Sequence, residues 1–229
     1  MKQKDVQPDL KLPTGIGCID EMLGGGFDRG VLNQVFGEGG VGKTNIAMQA
    51  AINSIQSGKK VIYIDTEGFS STRFLQISKN NPIASKGMFL YRVMDLPDQE
   101  VAVIKAEKLI EKDREIDLLV MDSFTALMRL ERDDGARNNS QMKQLKILNA
   151  ISTEYDIGIL ITNQIYFDIG GGHTTPYGGF FLDHFSKVIL ELQKEKDGRR
   201  TITVKKHRAL QDGISTSFYI REFGISCSP

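Results

Sequence analysis

Short runs of β-branched and aliphatic residues alternate along the chain with longer segments whose apolar positions recur every three or four residues. The short runs are VLNQVF (31–36), KVIYID (60–65), MFLYRV (88–93), DLLVMD (117–122) and GILITNQ (158–164). Most are apolar at nearly every position, the pattern of strands covered on both faces. Helices are predicted between them: one from Lys43 to a stop at Gly58, one from near Pro97 through Val103, Ala106 and Ile110, and one through Met142, Leu145, Leu148, Ile151 and Tyr155. This alternation predicts an α/β fold with a mostly parallel central sheet flanked by crossover helices. Beyond residue 187 the texture changes. Two strand-like runs flank Asp197-Gly198, a dipeptide suited to a tight turn, and STSFYIREFGI (215–225) supplies another strand, so a C-terminal β-hairpin is expected.

Composition narrows the reading further. The 229 residues are 40% hydrophobic and 25% charged, as in an ordinary globular protein. No apolar run approaches the roughly 20 residues of a membrane helix, and MKQKDVQPDL at the start lacks a signal-peptide core, so a cytoplasmic protein is expected. With no repeat, low-complexity tract or linker, residues 1–229 read as a single domain whose first 11 residues form a flexible tail. A net charge of +0 gives the whole molecule no long-range attraction for nucleic acid, so any such binding must come from a local basic patch. Cys18 and Cys227 lie near opposite ends without metal-ligand spacing, and both are expected to be inert thiols. His173 has no ligand-spaced partner either.

The chemistry concentrates after the first strand. Gly37, Glu38, Gly39, Gly40, Val41, Gly42, Lys43 and Thr44 fit G-x-x-x-x-G-K-[ST] between a predicted strand and a predicted helix, the context the motif requires. Glycines let backbone N–H groups turn toward phosphate oxygens, and the helix N-terminus adds partial positive charge. Lys43 is expected to reach the β- and γ-phosphates of ATP and Thr44 to sit on Mg²⁺, with Asn45 completing the nucleotide site. Asp122 closes LLVMD at the carboxyl edge of the sheet, where it can hold the metal through water. Glu67, just past the second strand, is the candidate base for an attacking water. Asp65 is its rival unless it caps the turn.

Four segments together resemble the RecA-type recombinase core, and within it the archaeal RadA group and its short paralogues: LPTGIGCIDEMLGGGFDRG (12–30), IDTEGFSSTRF (64–74), LLVMDSFTALMR (118–129) and ILITNQI (159–165). The likeness runs from Leu12 to Phe223. KaiC-like ATPases share the lead-in, but Asn163-Gln164 on the fifth strand and the single Glu67 favour the recombinases. The resemblance implies that Gln164 senses the γ-phosphate and relays nucleotide state, and that Arg73 stacks on adenine. The spacing of Arg73 from Glu67 departs by one residue, which leaves a surface arginine as the other reading.

The resemblance also implies two loops facing DNA. The first spans 128–141, where Arg129, Arg132 and Arg137 can hold phosphates without regard to sequence, among Glu131, Asp133 and Asp134. The second, 166–179, offers Tyr166, Phe167 and Tyr177 for stacking on bases of single-stranded DNA. Both could equally be plain connectors. A basic segment holds Arg199, Arg200, Lys205, Lys206, His207 and Arg208. Lys206 and Arg208 have the K-x-R spacing by which related subunits reach a neighbour's ATP in a homo-oligomer, and a solvated basic face is the alternative.

Only about a dozen residues precede LPTGIG, so the helical N-terminal domain of RadA is not expected, and autonomous filament formation is in doubt. The resemblance implies an ATP-binding, DNA-binding accessory to the recombinase RadA and to a Holliday-junction resolvase. Two functional classes remain open from the sequence: a weak DNA-dependent ATPase, and a nucleotide-gated binding module of the KaiC-like kind.

Overall fold

The computed structural model describes residues 10–168 and 173–229, without the side chains of 166–176. In chain order the elements are β1 (Lys11–Leu12), α1 (Gly17–Met22), β2 (Phe27–Asp28), β3 (Leu32–Gly37), α2 (Lys43–Gln56), β4 (Lys60–Asp65), α3 (Ser71–Ile77), α4 (Pro82–Lys86) and β5 (Met88–Arg92). Then follow α5 (Leu96–Lys112), β6 (Ile116–Asp122), α6 (Asp134–Tyr155), β7 (Gly158–Asp168), β8 (His173–Pro176), α7 (Gly179–Phe185), β9 (Ser186–Lys194), β10 (Arg199–Lys206), β11 (Ser215–Arg221) and β12 (Gly224–Ser226).

The main sheet runs β12-β11-β10-β9-β3-β7-β6-β4-β5, with β8 paired to β7. Pairing is parallel from β9 to β5 and antiparallel through β10, β11 and β12. The strands expected from the apolar runs are all present, within a residue or two at most ends. Helical crossovers require both faces of the parallel part to be covered, and the side chains divide accordingly. Val61, Tyr63, Leu118, Val120 and Leu160 join the core under α2, whereas Ile62, Ile64, Leu119, Met121, Ile159 and Ile161 join the core under α5 and α6. Period-two alternation inside an apolar run thus builds two cores at once.

Three expectations are corrected. Lys11, placed in a tail, pairs instead with Asp28 in the small β1-β2 sheet. Residues 128–141 are not one loop, because Met128–Leu130 forms a 3-10 turn and α6 begins at Asp134. Asp133 caps that helix by accepting the Ala136 N–H at 3.0 Å. Cys18 and Cys227 are not free thiols but a disulfide, with Cα atoms 5.7 Å apart. Gln49 brings the two ends together: its Nε2 donates to the Gly15 carbonyl at 3.0 Å and its Oε1 accepts the Ile225 N–H at 2.8 Å. The Asp197-Gly198 turn stands as expected, both residues having positive φ, between β9 and β10.

Candidate nucleotide site and its link to the second loop

The sheet register assembles the site. Gly37 lies opposite Gln164 across β3 and β7, and Asp65 lies opposite Asp122 across β4 and β6. Four strand ends therefore converge at one edge, the place where open parallel sheets bind ligands.

The loop from β3 to α2 has the backbone its glycines permit. A Cβ on Gly37 would stand 2.4 Å from the Leu192 carbonyl oxygen, so β9 approaches too closely for any side chain there. Gly42, the residue before α2, has φ 118°, a conformation open to glycine. Lys43 is buried, and its Nζ donates to the carbonyls of Gly37 and Glu38, each at 2.8 Å, folding the loop around the ammonium. Burial lowers the Lys43 pKa, while Glu67, Asp122 and Glu38 act to raise it.

Asp122 is buried and hydrogen-bonded by three hydroxyls. Tyr63 donates at 2.6 Å, Thr162 donates to Oδ1, and Thr44 Oγ1 lies 3.3 Å from the same oxygen. Burial pushes the Asp122 carboxyl upward, against those hydroxyls. Burial and the Asp122 carboxylate hold the Tyr63 phenol well above its ordinary pKa, so it remains a donor. The Thr44 hydroxyl beside a carboxylate is an all-oxygen donor pair that suits Mg²⁺, a cation that keeps most of its waters. When bound, such a metal would neutralise charge on the phosphates. Tyr63 and Thr162 were not anticipated. The only trace they leave in the sequence is a polar atom inside an otherwise apolar strand.

Asp65 is committed to the turn, accepting the backbone N–H groups of Glu67 at 3.4 Å, Gly68 at 3.1 Å and Phe69 at 2.7 Å. Glu67 is exposed and accepts from Gln164 Nε2 at 2.6 Å. The Gln164 side-chain oxygen Oε1 in turn accepts from Arg129, whose guanidinium lies 5.3 Å from the centre of the Tyr177 ring. Tyr177 donates its backbone N–H to the Gln164 carbonyl at 2.9 Å. A continuous chain of contacts thus leads from Glu67 through Gln164 and Arg129 to Tyr177.

Arg73 is held by its edges. Nε donates to Asn45 at 2.6 Å, Nη1 to the Glu222 carbonyl at 2.7 Å and Nη2 to the Arg221 carbonyl at 2.8 Å. Edge-on bonding fixes the guanidinium plane beside the nucleotide loop, the geometry that stacking on a flat ring requires.

The residues expected at DNA or at a neighbour are more dispersed. Arg137 pairs with Asp134 at 2.7 Å, and Arg132 is exposed with no ion pair among the described residues. The side chains of Tyr166, Phe167 and His173 lie outside the described ones. Lys206 Nζ donates within its own chain to the carbonyls of Asp183 at 2.6 Å and Ser186 at 2.8 Å, at the end of α7. Arg208 lies 3.8 Å from buried Asp28.

A P-loop, a strand-end aspartate and a strand-end glutamine at one edge of such a sheet define a RecA-like ATPase core. The particular family follows from comparison: the Rad51 family model matches residues 6–228, and the chain belongs to that family. It is 46% identical over 219 residues to the DNA repair and recombination protein RadB of Thermoplasma acidophilum, covering 95% of this chain and 94% of that protein. The RadB protein of Archaeoglobus fulgidus is 38% identical over 220 residues, covering 94% and 98%. A crystal structure of the RadB recombinase matches with a TM-score of 0.84 at 33% identity, over 95% of this chain and 100% of that one. These matches favour the recombinases over the KaiC-like ATPases. Among the described residues, no helix is long and apolar enough to cross a membrane.

Proposed function

We propose that the chain is a RadB-type DNA repair and recombination protein that binds ATP with Mg²⁺, holds single-stranded DNA and hydrolyses ATP slowly. In this reading it acts as an accessory to the recombinase RadA and to a Holliday-junction resolvase. Lys43, Thr44 and the loop glycines carry the nucleotide, Asp122 with Thr44 carries the metal, Arg73 the base, and Glu67 with Gln164 the hydrolytic step. One domain spanning 1–229 is part of the proposal.

The observation that carries it is the chain Glu67–Gln164–Arg129–Tyr177. A carboxylate placed for water activation is joined through two side chains to a residue of the second loop. A two-state element of this kind lets DNA and nucleotide bias each other. The test is the ATP hydrolysis rate with and without single-stranded DNA. Stimulation supports a coupled ATPase, whereas an unchanged rate leaves only a nucleotide-gated binding module.

Arg129→Ala should remove the side-chain link between the Gln164 amide oxygen and the Tyr177 ring, while leaving the backbone bond between Tyr177 and Gln164 and the nucleotide loop untouched. The expected result is loss of a coupling factor of about 5-fold or more between DNA and turnover. Unstimulated hydrolysis should stay near wild type. Full stimulation in the variant would remove Arg129 from the relay.

Arg132 is exposed and, among the described residues, has no ion pair, which suits it to a phosphate. Arg132→Ala should weaken binding equally across DNA sequences and reduce the slope of log affinity against log salt by about one. A slope equal to wild type in a salt titration would place the phosphate contacts elsewhere.

A further inference from the structure

The Cys18–Cys227 disulfide lies outside the nucleotide site, yet the strand pair it fastens reaches into that site. Cys18 is half-buried in α1, whereas Cys227 directly follows β12 and is exposed. Their Cα atoms are 5.7 Å apart, and the Cys18 N–H lies 3.0 Å from the Cys227 sulfur.

What the bond secures can be read from the register. β12 is a three-residue edge strand, and among the described residues it pairs only with the last part of β11: Tyr219 with Ser226, Ile220 with Ile225 and Arg221 with Gly224. β10 holds β11 no further than Tyr219. From Ile220 to Ser226 the chain is therefore kept in place by its own short pairing, by the packing of Ile220 and Ile225 on the core under α2, by Gln49 on Ile225, and by the disulfide. This turn carries the Arg221 and Glu222 carbonyls that receive Nη2 and Nη1 of Arg73. Without them the guanidinium keeps Asn45 and Gln76, side chains that can themselves rotate, and its plane is no longer fixed. The phosphate side is independent: Lys43 is held by Gly37 and Glu38, and Asp122 by Tyr63, Thr162 and Thr44, none of them on this turn.

We propose that Cys18–Cys227 is a thiol–disulfide exchange site whose state sets the affinity for the adenine base through Arg73. This rests on the reading of Arg73 as the residue that carries the base. A dithiol reductant attacks as a thiolate at the exposed Cys227 sulfur, forming a mixed disulfide and releasing Cys18 as a thiolate. The reductant's second thiolate then attacks its own bridged sulfur, closes the reductant's disulfide and releases Cys227. The pair has gained two electrons and, once both thiolates are protonated, two protons, and the dithiol has been oxidised by the same two electrons. Exposed disulfides are the ones open to such exchange, and Cys227 is exposed. Edge segments with few contacts open locally at low cost, so the reduced turn leaves Arg73 without its two carbonyls for part of the time. Preorganisation toward the base is then lost, and the phosphate contacts remain.

The test compares ATP with inorganic tripolyphosphate, each with Mg²⁺, on the full chain before and after dithiothreitol, with free thiols counted by alkylation and mass. Reduction should weaken ATP binding by about 2- to 30-fold, the range of a cation stacked on an aromatic ring, and leave tripolyphosphate within about twofold. Reoxidation should restore the ATP affinity. Cys227→Ser should bind ATP as reduced wild type does and ignore the reductant, and Arg73→Ala should bind ATP weakly in either redox state. Equal ATP affinity in oxidised and reduced wild type would make the bond purely structural and refute the exchange site. Equal losses for ATP and tripolyphosphate would mean that reduction loosens the whole domain, which refutes it too. Alkylation of both cysteines without reductant would show that the bond does not form. If Arg73→Ala binds ATP as tightly as oxidised wild type, the base-carrying role of Arg73 falls and the redox control with it, while the phosphate loop stands.

Discussion

Lys43→Ala is expected to abolish measurable ATP binding without unfolding the protein. The ammonium is buried in the structure, and its partners are the carbonyls of its own loop, Gly37 and Glu38. Burial lowers its pKa, so the protonated form is less favourable in the fold than in the unfolded chain. The sign follows: this group contributes against folding below its lowered pKa, and the penalty disappears as pH rises toward the unfolded value. Alanine removes that penalty along with the two carbonyl contacts, so the melting temperature without nucleotide should change by only a few degrees, about the effect of 1 kcal/mol.

The response to nucleotide is what should disappear. In wild type, ATP with Mg²⁺ at about 100 times its Kd should stabilise the fold by about 2.7 kcal/mol. The variant, lacking the cation proposed to face the phosphates, should show no such shift and no heat of binding in a titration calorimeter. Wild-type nucleotide affinity in Lys43→Ala would refute the assignment of this loop to a triphosphate.

What the sequence reveals of this site follows from where each residue's partner lies. β4 was legible to the residue, because KVIYID is a closed apolar run that ends on a charge. The loop and Asp122 were legible because their chemistry is local: glycines that permit one backbone shape, and a carboxylate at the end of an apolar strand. α6 was legible only from its middle. Its first turns bury Ser140, Gln141 and Gln144, polar residues that no apolar periodicity marks. Gln144 donates to Ser140, one turn back on α6, at 3.1 Å, and accepts from Gln99 Nε2 of α5 at 3.0 Å, a partner that only the packed structure brings to it.

The contacts that were missed are all non-local. The disulfide joins residues 209 positions apart, and its closure depends on Gln49 holding both ends against α2. Arg129 reads in the sequence as one of three cations for phosphate, and its place on Gln164 depends on the 3-10 turn after β6 folding back toward β7. Lys206 reads as free to reach a neighbour, yet its ammonium rests on the carbonyls that end α7. For the contact in trans that its K-x-R spacing implies to form, that ammonium must leave those carbonyls.

Glu67→Gln should separate binding from hydrolysis. The carboxylate accepts the Gln164 amide N–H at 2.6 Å, and a glutamine at 67 can accept the same bond through its own carbonyl oxygen. Geometry and nucleotide affinity should therefore persist while the capacity to take a proton from water is lost. Loss of a general base commonly lowers the rate by about 10²-fold or more, so single-turnover hydrolysis should fall by at least that factor while the ATP Kd stays within about twofold. Asp65 is a poor substitute, because its two oxygens are occupied by the N–H groups of Glu67, Gly68 and Phe69 that shape the turn. If the variant turns over ATP as fast as wild type, Glu67 serves only to anchor Gln164. The relay would then carry nucleotide state to the second loop by occupancy alone, as a binding switch requires and a cycling ATPase does not.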